Sequence, residues 1–276
     1  MSFWRVSMPD PVAILTFHHV LPEKDTLTIP PELFEALILF LKDHYNIISY
    51  QTFIEHLFDN KRLPGRSVLL TFDDGYLDNY LYAYPVLARH QVPAVIFAVT
   101  GQIRASDDCR TSLPFTLSHR ELNRKPKPEL FLNTAEIKAM ESSGLVTIES
   151  HTRSHLVCSH QPYETVAREL SDSFTFIKEH TTPRDRYGFC WPKGAYDDVA
   201  LEAFSDSPYT FAFSTTEGAY HTGDDLRTIR RIDCSSWNGN QEEYLGRLRR
   251  KLRIYTTPLL SQWYSSFREY RIRQKR

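Results

Sequence analysis

The stretch Val68–Tyr76, VLLTFDDGY, decides how the chain is expected to fold. It begins as a continuous apolar run, which is typical of a strand buried on both faces, and Gly75 permits a tight turn directly after it. Asp73 and Asp74 therefore stand at the carboxyl end of a buried strand, where parallel α/β folds hold their chemistry. Neighbouring side chains of an extended strand point to opposite faces, so the two carboxylates are expected to differ in role unless the turn redirects one of them. Capping of the following helix explains an acidic pair equally well.

Apolar runs alternate with segments of helical periodicity along most of the chain. Val12 to Phe17 is the first expected strand, and it also ends in a polar pair, His18 and His19. This alternation predicts a parallel barrel or a doubly wound sheet. The segment 101–130 has little periodicity, and a loop of this length inside a compact domain is usually functional or disordered. A substrate lid near the mouth and a disordered decoration are both compatible with it.

Composition indicates a globular protein of the cytoplasm. A chain of 276 residues with 41% hydrophobic content can bury the core of one large α/β domain. Its four cysteines stand far apart without a CxxC pair, so neither a zinc ribbon nor a disulfide framework is indicated, and reduced thiols are expected. The first twenty residues have no signal-peptide pattern, and no apolar run approaches transmembrane length.

The end of the chain is strongly basic. Residues 244–276 hold ten Lys and Arg against a single Glu, although the formal net charge of the whole chain is −1. Leucines and aromatics recur there at helical spacing, which predicts a basic amphipathic helical tail after a catalytic domain over residues 1–243. Such a tail either contacts an anionic membrane surface or packs on the domain with its basic face in solvent. Nucleic acid is a poor partner for the acidic remainder of the chain.

A second polar set, His151 and His155, follows another apolar run. Either set alone is weak evidence, since the chain has eleven histidines and most histidines are structural. Both sets follow strands, however, so they are expected to meet at one end of the fold. A carboxylate and two imidazoles form a facial site for a divalent ion, with positions left open for water and substrate. His160 is a competing ligand.

Three motifs, in this order, resemble those of the polysaccharide deacetylases of carbohydrate esterase family 4. They are TFDDGY at 71–76, HTRSH at 151–155 and FCWPKGAY at 189–196. The resemblance extends over most of the chain from Val12 to Trp237. It implies a distorted (β/α)7 TIM-like barrel that removes the acetyl group from an N-acetylated sugar.

Position by position, the resemblance implies that Asp73 is the general base. Asp74, His151 and His155 would hold one divalent ion, with Zn²⁺ expected and Co²⁺ or Ni²⁺ as alternatives. A carboxylate that is not a ligand can then take the proton of the attacking water. A backbone N–H near Lys193 would stabilise the oxyanion.

The chain departs from the family pattern at two positions. Many members have an arginine that orients the base where this chain has Cys190, so the support of Asp73 is in question. The usual late Leu-x-His motif, which supplies the acid, is missing from the C-terminal third. Leu15-Thr16-Phe17-His18 resembles instead a circularly permuted branch that places this strand first, and there His18 would be the general acid. A structural histidine beside His19 is the alternative.

Four further residues are candidates for contacts around the substrate. Asp233 and Trp237 resemble the family motif that orients the acid and walls the acetyl pocket. Trp191 and Tyr196 are candidates for stacking on a sugar ring, although core packing explains aromatics at strand ends equally well.

The sequence therefore predicts a metal-dependent N-deacetylase acting on N-acetylhexosamine units of a surface polysaccharide, a glycolipid or a precursor. Hydrolysis of another non-peptide amide bond on the same scaffold is the first alternative. A non-catalytic glycan-binding relative is the second, suggested by Cys190. A phosphatase of the haloacid dehalogenase type fits less well, because that family requires Asp-x-Asp and this chain has Asp-Asp-Gly.

Overall fold

Parallel strands close into a barrel in the computed structural model, which describes residues 11–23, 25–235 and 239–257. In chain order, the strands are β1 (Ala13–Phe17), β2 (His19–Val20), β3 (Thr28–Ile29), β4 (Asn46–Ile47), β5 (Ser67–Phe72), β6 (Ala94–Ala98), β7 (Val146–Ser150), β8 (Gly188–Cys190), β9 (Phe211–Glu217) and β10 (Ile229–Asp233). Because β1 pairs with β5 on one side and with β10 on the other, the ring β1, β5, β6, β7, β8, β9, β10 is closed. Within the described residues, this seven-stranded parallel barrel confirms the predicted fold.

Helices connect the strands and cover the outside of the barrel. They are α1 (Pro31–His44), α2 (Tyr50–Phe58), α3 (Tyr84–His90), α4 (His119–Arg124), α5 (Thr134–Ser142), α6 (Tyr163–His180), α7 (Asp198–Ser205) and α8 (Gln241–Thr256). A π-helical turn, Asn79–Ala83, leads into α3, and 3₁₀ turns span Thr100–Gln102, Pro128–Leu130 and Pro192–Gly194. None of the helices in the described part of the chain is long and apolar enough to cross a membrane.

Most of the barrel strands are apolar on both faces, which explains their continuous apolar runs. One set of side chains, including Ile14, Leu69 and Phe97, forms an inner cluster that also packs against α2. The alternate set, including Leu15 and Ile96, packs in a larger cluster with the surrounding helices. Most polar chemistry is therefore expected at the strand ends, as is general in parallel sheets, and buried polar side chains within strands, such as Glu149 and Arg231, are exceptions.

Arg184, in the connection between α6 and β8, lies between two glutamates whose side chains are largely buried. Arg184 Nη1 is 3.1 Å from Oε1 of Glu149, and Arg184 Nη2 is 2.9 Å from Oε1 of Glu141. Glu149 has no exposed surface. Burial raises the pKa of Glu149 to about 8 despite the guanidinium of Arg184.

This shift has a consequence for stability. The folded state holds the Glu149 proton more tightly than the unfolded chain does, so the contribution to stability is full at low pH and is lost as the pH rises through about 8. Glu149→Gln keeps the neutral form at every pH. Relative to the wild type, the variant is expected to gain up to about 1.4 kcal/mol in free energy of unfolding per pH unit between pH 5 and pH 8. Urea unfolding at several pH values measures this, and a difference that does not change with pH contradicts it.

The segment 101–130 is ordered and packed on the mouth of the barrel. Arg110 makes two bonds to the carboxylate of the buried Glu136, at 2.8 and 2.6 Å. It also donates to the carbonyl oxygens of Glu129 and Phe131, at 2.7 and 2.6 Å. The alternative of a disordered decoration is therefore wrong for this segment.

Helix α8 crosses the boundary predicted between residues 243 and 244. Its apolar side Tyr244, Leu248, Leu252 and Tyr255 is buried. The Tyr244 hydroxyl donates to the carbonyl of Cys234 at 2.8 Å, just after β10. Residues 244–257 thus pack on the barrel, as one of the two predicted alternatives has it, and the rest of the predicted tail lies outside the described residues.

Candidate active site

A cavity of about 320 Å³ opens at the carboxyl ends of the barrel strands. It brings together side chains that are far apart in the sequence. Among the predicted site residues, those lining it are His18, Asp73, Asp74, His151, His155, Lys193 and Asp233.

Asp74, His151 and His155 form a group that could hold a metal ion, with their candidate ligand atoms all within 4.8 Å of one another. Asp74 Oδ1 is 3.3 Å from His155 Nε2 and 3.6 Å from His151 Nε2. His151 Nδ1 lies 2.8 Å from the carbonyl oxygen of Cys190, and a carbonyl only accepts, so the ring proton is on Nδ1. The lone pair of Nε2 therefore faces the Asp74 carboxylate.

This donor set fits a divalent cation. Burial lowers the pKa of His151 to about 4, so its imidazole is neutral and available as a ligand. An imidazole whose other nitrogen is held by a carbonyl, beside a carboxylate and a second imidazole, is the arrangement found around zinc.

An unusual backbone presents these ligands. Asp74 and His155 have φ values of 71° and 62°, which non-glycine residues rarely adopt and which cluster at functional sites. Gly75 follows with φ 73°, and a Cβ there would lie 2.9 Å from the Cβ of Ala98. The turn requires glycine for both reasons, and it brings Asp74 to the same cavity as Asp73.

His160 does not join the group. Its side chain is 94% exposed and lies 3.9 Å from the carboxylate of Asp197, on the protein surface. His155 is therefore the histidine that lies with Asp74 and His151.

Asp73 is held by an arginine that sequence reasoning missed. Arg231, on β10, donates from Nη1 to Oδ1 and from Nη2 to Oδ2 of Asp73, both at 2.7 Å. Burial by itself would raise the pKa of Asp73, but the guanidinium outweighs it and holds that pKa well below its usual range. Asp73 thus has an arginine partner from another strand, although position 190 is a cysteine.

Cys190 also belongs to a second group of potential ligands, with Asp73 and His151. Arg231 Nη2 lies 3.0 Å from Cys190 Sγ as well as 2.7 Å from Asp73. The guanidinium already supplies the positive charge at this position and would repel a metal ion. The Asp74 group is therefore the better cation site.

His18 also lies close to Asp73. Its Nε2 lies 3.9 Å from Oδ2 of Asp73, and its Nδ1 lies 3.2 Å from the hydroxyl of Ser235. Ser235 donates its backbone N–H to Asp233 Oδ1 at 2.9 Å. Ser235 was missed by sequence reasoning, and it links the predicted acid to Asp233. Trp237, the other residue of that predicted motif, lies outside the described residues.

A sequence model of polysaccharide deacetylases matches residues 60–212, more than half of the chain. The chain belongs to the polysaccharide deacetylase family. The matched region contains Asp73, Asp74, His151 and His155, whereas His18 precedes it.

Known polysaccharide deacetylases resemble the chain over most of its length. The poly-beta-1,6-N-acetyl-D-glucosamine N-deacetylase of Staphylococcus epidermidis is 23% identical in an alignment of 266 positions that covers 88% of this chain and 84% of the relative. A Streptococcus pyogenes deacetylase, solved in complex with acetate, matches with a TM-score of 0.69 and 21% identity over 86% of this chain and 98% of the other. The de-N-acetylase from Aggregatibacter actinomycetemcomitans gives a TM-score of 0.67 and 26% identity over 85% of this chain and 99% of the other.

Two aromatic residues of the polysaccharide deacetylase motif at 189–196 lie in different environments. Trp191 has no exposed surface, and its indole N–H donates to the carbonyl of Arg227 at 2.8 Å. The prediction that Trp191 stacks on a sugar is therefore wrong, and core packing is the correct alternative. Tyr196 is partly buried, with its ring 5.6 Å from that of Trp191. Lys193, with φ 55°, lines the cavity.

Proposed function

We propose that this polysaccharide deacetylase removes N-acetyl groups from N-acetylhexosamine units of a surface polysaccharide, a glycolipid or a precursor, with the help of one divalent metal ion. One observation carries the proposal. The cavity holds the Asp74, His151 and His155 group next to a separate carboxylate, Asp73, that is fixed by two bonds from Arg231. A ligand group beside an independent base is what metal-assisted hydrolysis requires.

The mixed carboxylate and imidazole donors favour Zn²⁺, with Co²⁺ or Ni²⁺ as substitutes. When bound, such an ion polarises the acetyl carbonyl and lowers the pKa of a water molecule.

The residues of the chain then have distinct tasks. Asp73 takes a proton from the attacking water, and Arg231 keeps this carboxylate ionised and oriented. As the water oxygen joins the acetyl carbon and the C–N bond breaks, protonated His18 gives its Nε2 proton to the leaving nitrogen. A backbone N–H near Lys193, a residue that lines the cavity, donates to the developing oxyanion. Acetate and a free amine result.

The position of His18 supports its role as the general acid. His18 lines the cavity, its Nε2 is 3.9 Å from Asp73 Oδ2, and its Nδ1 is paired with the hydroxyl of Ser235. The family match starts at residue 60, after β1, which agrees with a branch of the family in which the His18 strand stands first.

We further propose a cytoplasmic enzyme that contacts the anionic inner face of a membrane through residues 244–276. The four cysteines are free thiols, which suits a reducing compartment. The apolar side of α8 is used in packing, whereas Arg247, Arg250 and Arg253 are exposed. Contact through α8 would therefore be electrostatic and would weaken with salt.

Acetate release tests the proposed function. The zinc-loaded protein is expected to release acetate from oligomers of β-1,4- or β-1,6-linked N-acetylglucosamine. Removal of the metal with a chelator should lower the rate by more than about 100-fold, and added Zn²⁺, Co²⁺ or Ni²⁺ should restore it. N-formyl and cyclic amides serve as controls for the alternative amide substrates. Hydrolysis of these amides without release of acetate from any glycan contradicts the proposal.

A further inference from the structure

We propose that helix α4, in the 101–130 segment, forms a sugar-binding subsite in which the Asn123 side chain binds the unit next to the one being deacetylated. His119 holds Asn123 in place and is a positioning residue. The ligand is a neighbouring N-acetylhexosamine of the same oligosaccharide, so this inference rests on the proposed function.

A chain of hydrogen bonds connects Asn123 to the barrel. Asp78 Oδ2 lies 2.7 Å from His19 Nδ1, His19 Nε2 lies 3.2 Å from His119 Nδ1, and His119 Nε2 lies 2.7 Å from Asn123 Nδ2. Each member of this chain fixes the next. Asn123 is exposed, whereas His19 and Asp78 are buried, so this series of hydrogen bonds runs from the barrel to the cavity.

Asp78 and His19, at the buried end of this series of hydrogen bonds, are fixed by further contacts. Oδ1 of Asp78 accepts from the backbone N–H of Val20 at 2.9 Å and from the side chain of Asn79 at 3.1 Å. The His19 ring stacks on Tyr76, with centroids 4.0 Å apart. Because Asp78 is fixed by two further donors, the position of His19 is set by the barrel.

A separate bond anchors the start of α4. The backbone N–H of His119 donates to Asp25 Oδ2 at 2.6 Å, in the connection between β2 and β3. Leu122 of the same helix is buried in an apolar cluster with Tyr76 and Phe131. Helix α4 is therefore fixed in place as part of the cavity wall.

The hydrogen bonds leave one end of the Asn123 amide for a ligand. Asp78 can only accept, so His19 Nδ1 carries a proton. With His19 neutral, His119 Nδ1 donates to His19, and His119 Nε2 accepts from the Asn123 amide. With His19 charged, the direction reverses, and the Asn123 amide turns over so that its oxygen accepts from His119 Nε2, where Nδ2 lies in this structure. In either case His119 engages one end of the amide, and the other end can pair with a sugar hydroxyl or acetamide.

Asn123 stands where two cavities meet. The main cavity holds Asp73 and His18, and a side cavity of about 150 Å³ adjoins it, with Asp74, Asn123, His155 and Lys193 lining both. A substrate that reaches from one cavity to the other passes Asn123.

The side cavity has the mixed surface that suits a sugar ring. Its lining includes Tyr76 and Phe131, which are almost fully buried, together with the polar residues Gln102 and Ser154. Sites for small ligands combine apolar surface with a few placed polar groups in this way.

His119 does not act as the acid itself. Both of its ring nitrogens have partners, His19 and Asn123, and its ring centroid is 5.7 Å from that of His18. Burial, with the neighbouring His19 ring, also lowers the pKa of His119 to about 4, so the ring is neutral at pH 7.

The test compares a long and a short substrate. For wild type, Asn123→Ala and His119→Phe, kcat and KM are measured with chitotetraose and with 4-nitrophenyl acetate, which has no second sugar. Asn123→Ala is expected to raise KM for chitotetraose. The ratio of kcat/KM for chitotetraose to kcat/KM for 4-nitrophenyl acetate should fall by about tenfold, which is the effect of one or two lost hydrogen bonds. His119→Phe should do the same, and His119→Gln should recover part of the loss. Arg120→Ala, on the exposed side of α4, is the matched control. An unchanged ratio in Asn123→Ala overturns the subsite.

Binding separates this inference from the proposed function. If the wild type releases acetate from no glycan, the proposed function fails. The subsite is then judged by calorimetry with chitotetraose and the zinc-loaded Asp73→Asn protein, with and without Asn123→Ala. About tenfold weaker binding after Asn123→Ala supports the subsite. Equal binding by the two proteins, or binding by neither, overturns it.

Discussion

Replacing Asp73 by asparagine is expected to lower kcat for acetate release by about 1,000-fold or more while the protein keeps its metal. The reason is that Asp73 lies outside the Asp74, His151 and His155 group and is bound by Arg231 instead. Loss of a positioned general base typically lowers a rate by 10²- to 10⁴-fold. Acetate release and metal content, measured on the same preparation, check both parts.

The matched control for Asp73→Asn is Cys190→Ser, which changes another member of the second ligand group. The serine hydroxyl still accepts from Arg231, so this variant should keep the metal as well. Metal loss in both variants would indicate that Asp73, Cys190 and His151 hold the metal. The roles proposed for the two aspartates would then be wrong.

Replacing Arg231 by methionine is expected to lower the free energy of unfolding by about 3–5 kcal/mol, because it leaves the buried Asp73 carboxylate without its ionic partner. Activity should fall as well, since the two bonds that orient Asp73 are lost. Urea unfolding at pH 7 measures the first effect and acetate release the second.

A double-mutant cycle gives the control for Arg231. In Arg231→Met with Asp73→Asn, no buried carboxylate is left unpaired, so most of the lost stability should return. Arg230→Met changes the neighbouring residue of β10, which is less buried, and should alter stability by less than about 1 kcal/mol. Additive effects of the two substitutions would contradict a direct Arg231–Asp73 pair.

The residues that sequence reasoning found stand directly after apolar strands. Asp73 and Asp74 follow β5 and His151 follows β7, so a parallel fold had to bring them to one end. The general architecture was predictable for the same reason, because apolar runs and helical segments alternate with short connections. The local sequence pattern therefore predicted both the strand and the residue at which it ends.

Arg231 was missed because its partner depends on how the barrel closes. β10 pairs with β1, and only that closure carries Arg231 to Asp73, 158 positions away in the sequence. A signal was present nonetheless. Two arginines, Arg230 and Arg231, stand between Ile229 and Ile232, and an arginine that is buried in a strand needs a carboxylate as its partner.

The 101–130 segment was harder to predict for a different reason. Its only α-helix within the described residues, α4, is six residues long and shows no readable periodicity. Its position depends on distant contacts, such as that of Arg110 with Glu136 and of His119 with His19. Trp191 illustrates the opposite error, since a residue at a strand end can still point into the core.

The central claim is that Asp74 holds the metal and Asp73 does not. Zinc content per chain, determined by mass spectrometry on purified wild type, Asp74→Asn and Asp73→Asn, tests it most directly. The expected result is about one zinc ion per chain in the wild type and in Asp73→Asn, and almost none in Asp74→Asn. Full zinc content in Asp74→Asn, or its loss in Asp73→Asn alone, would contradict the account.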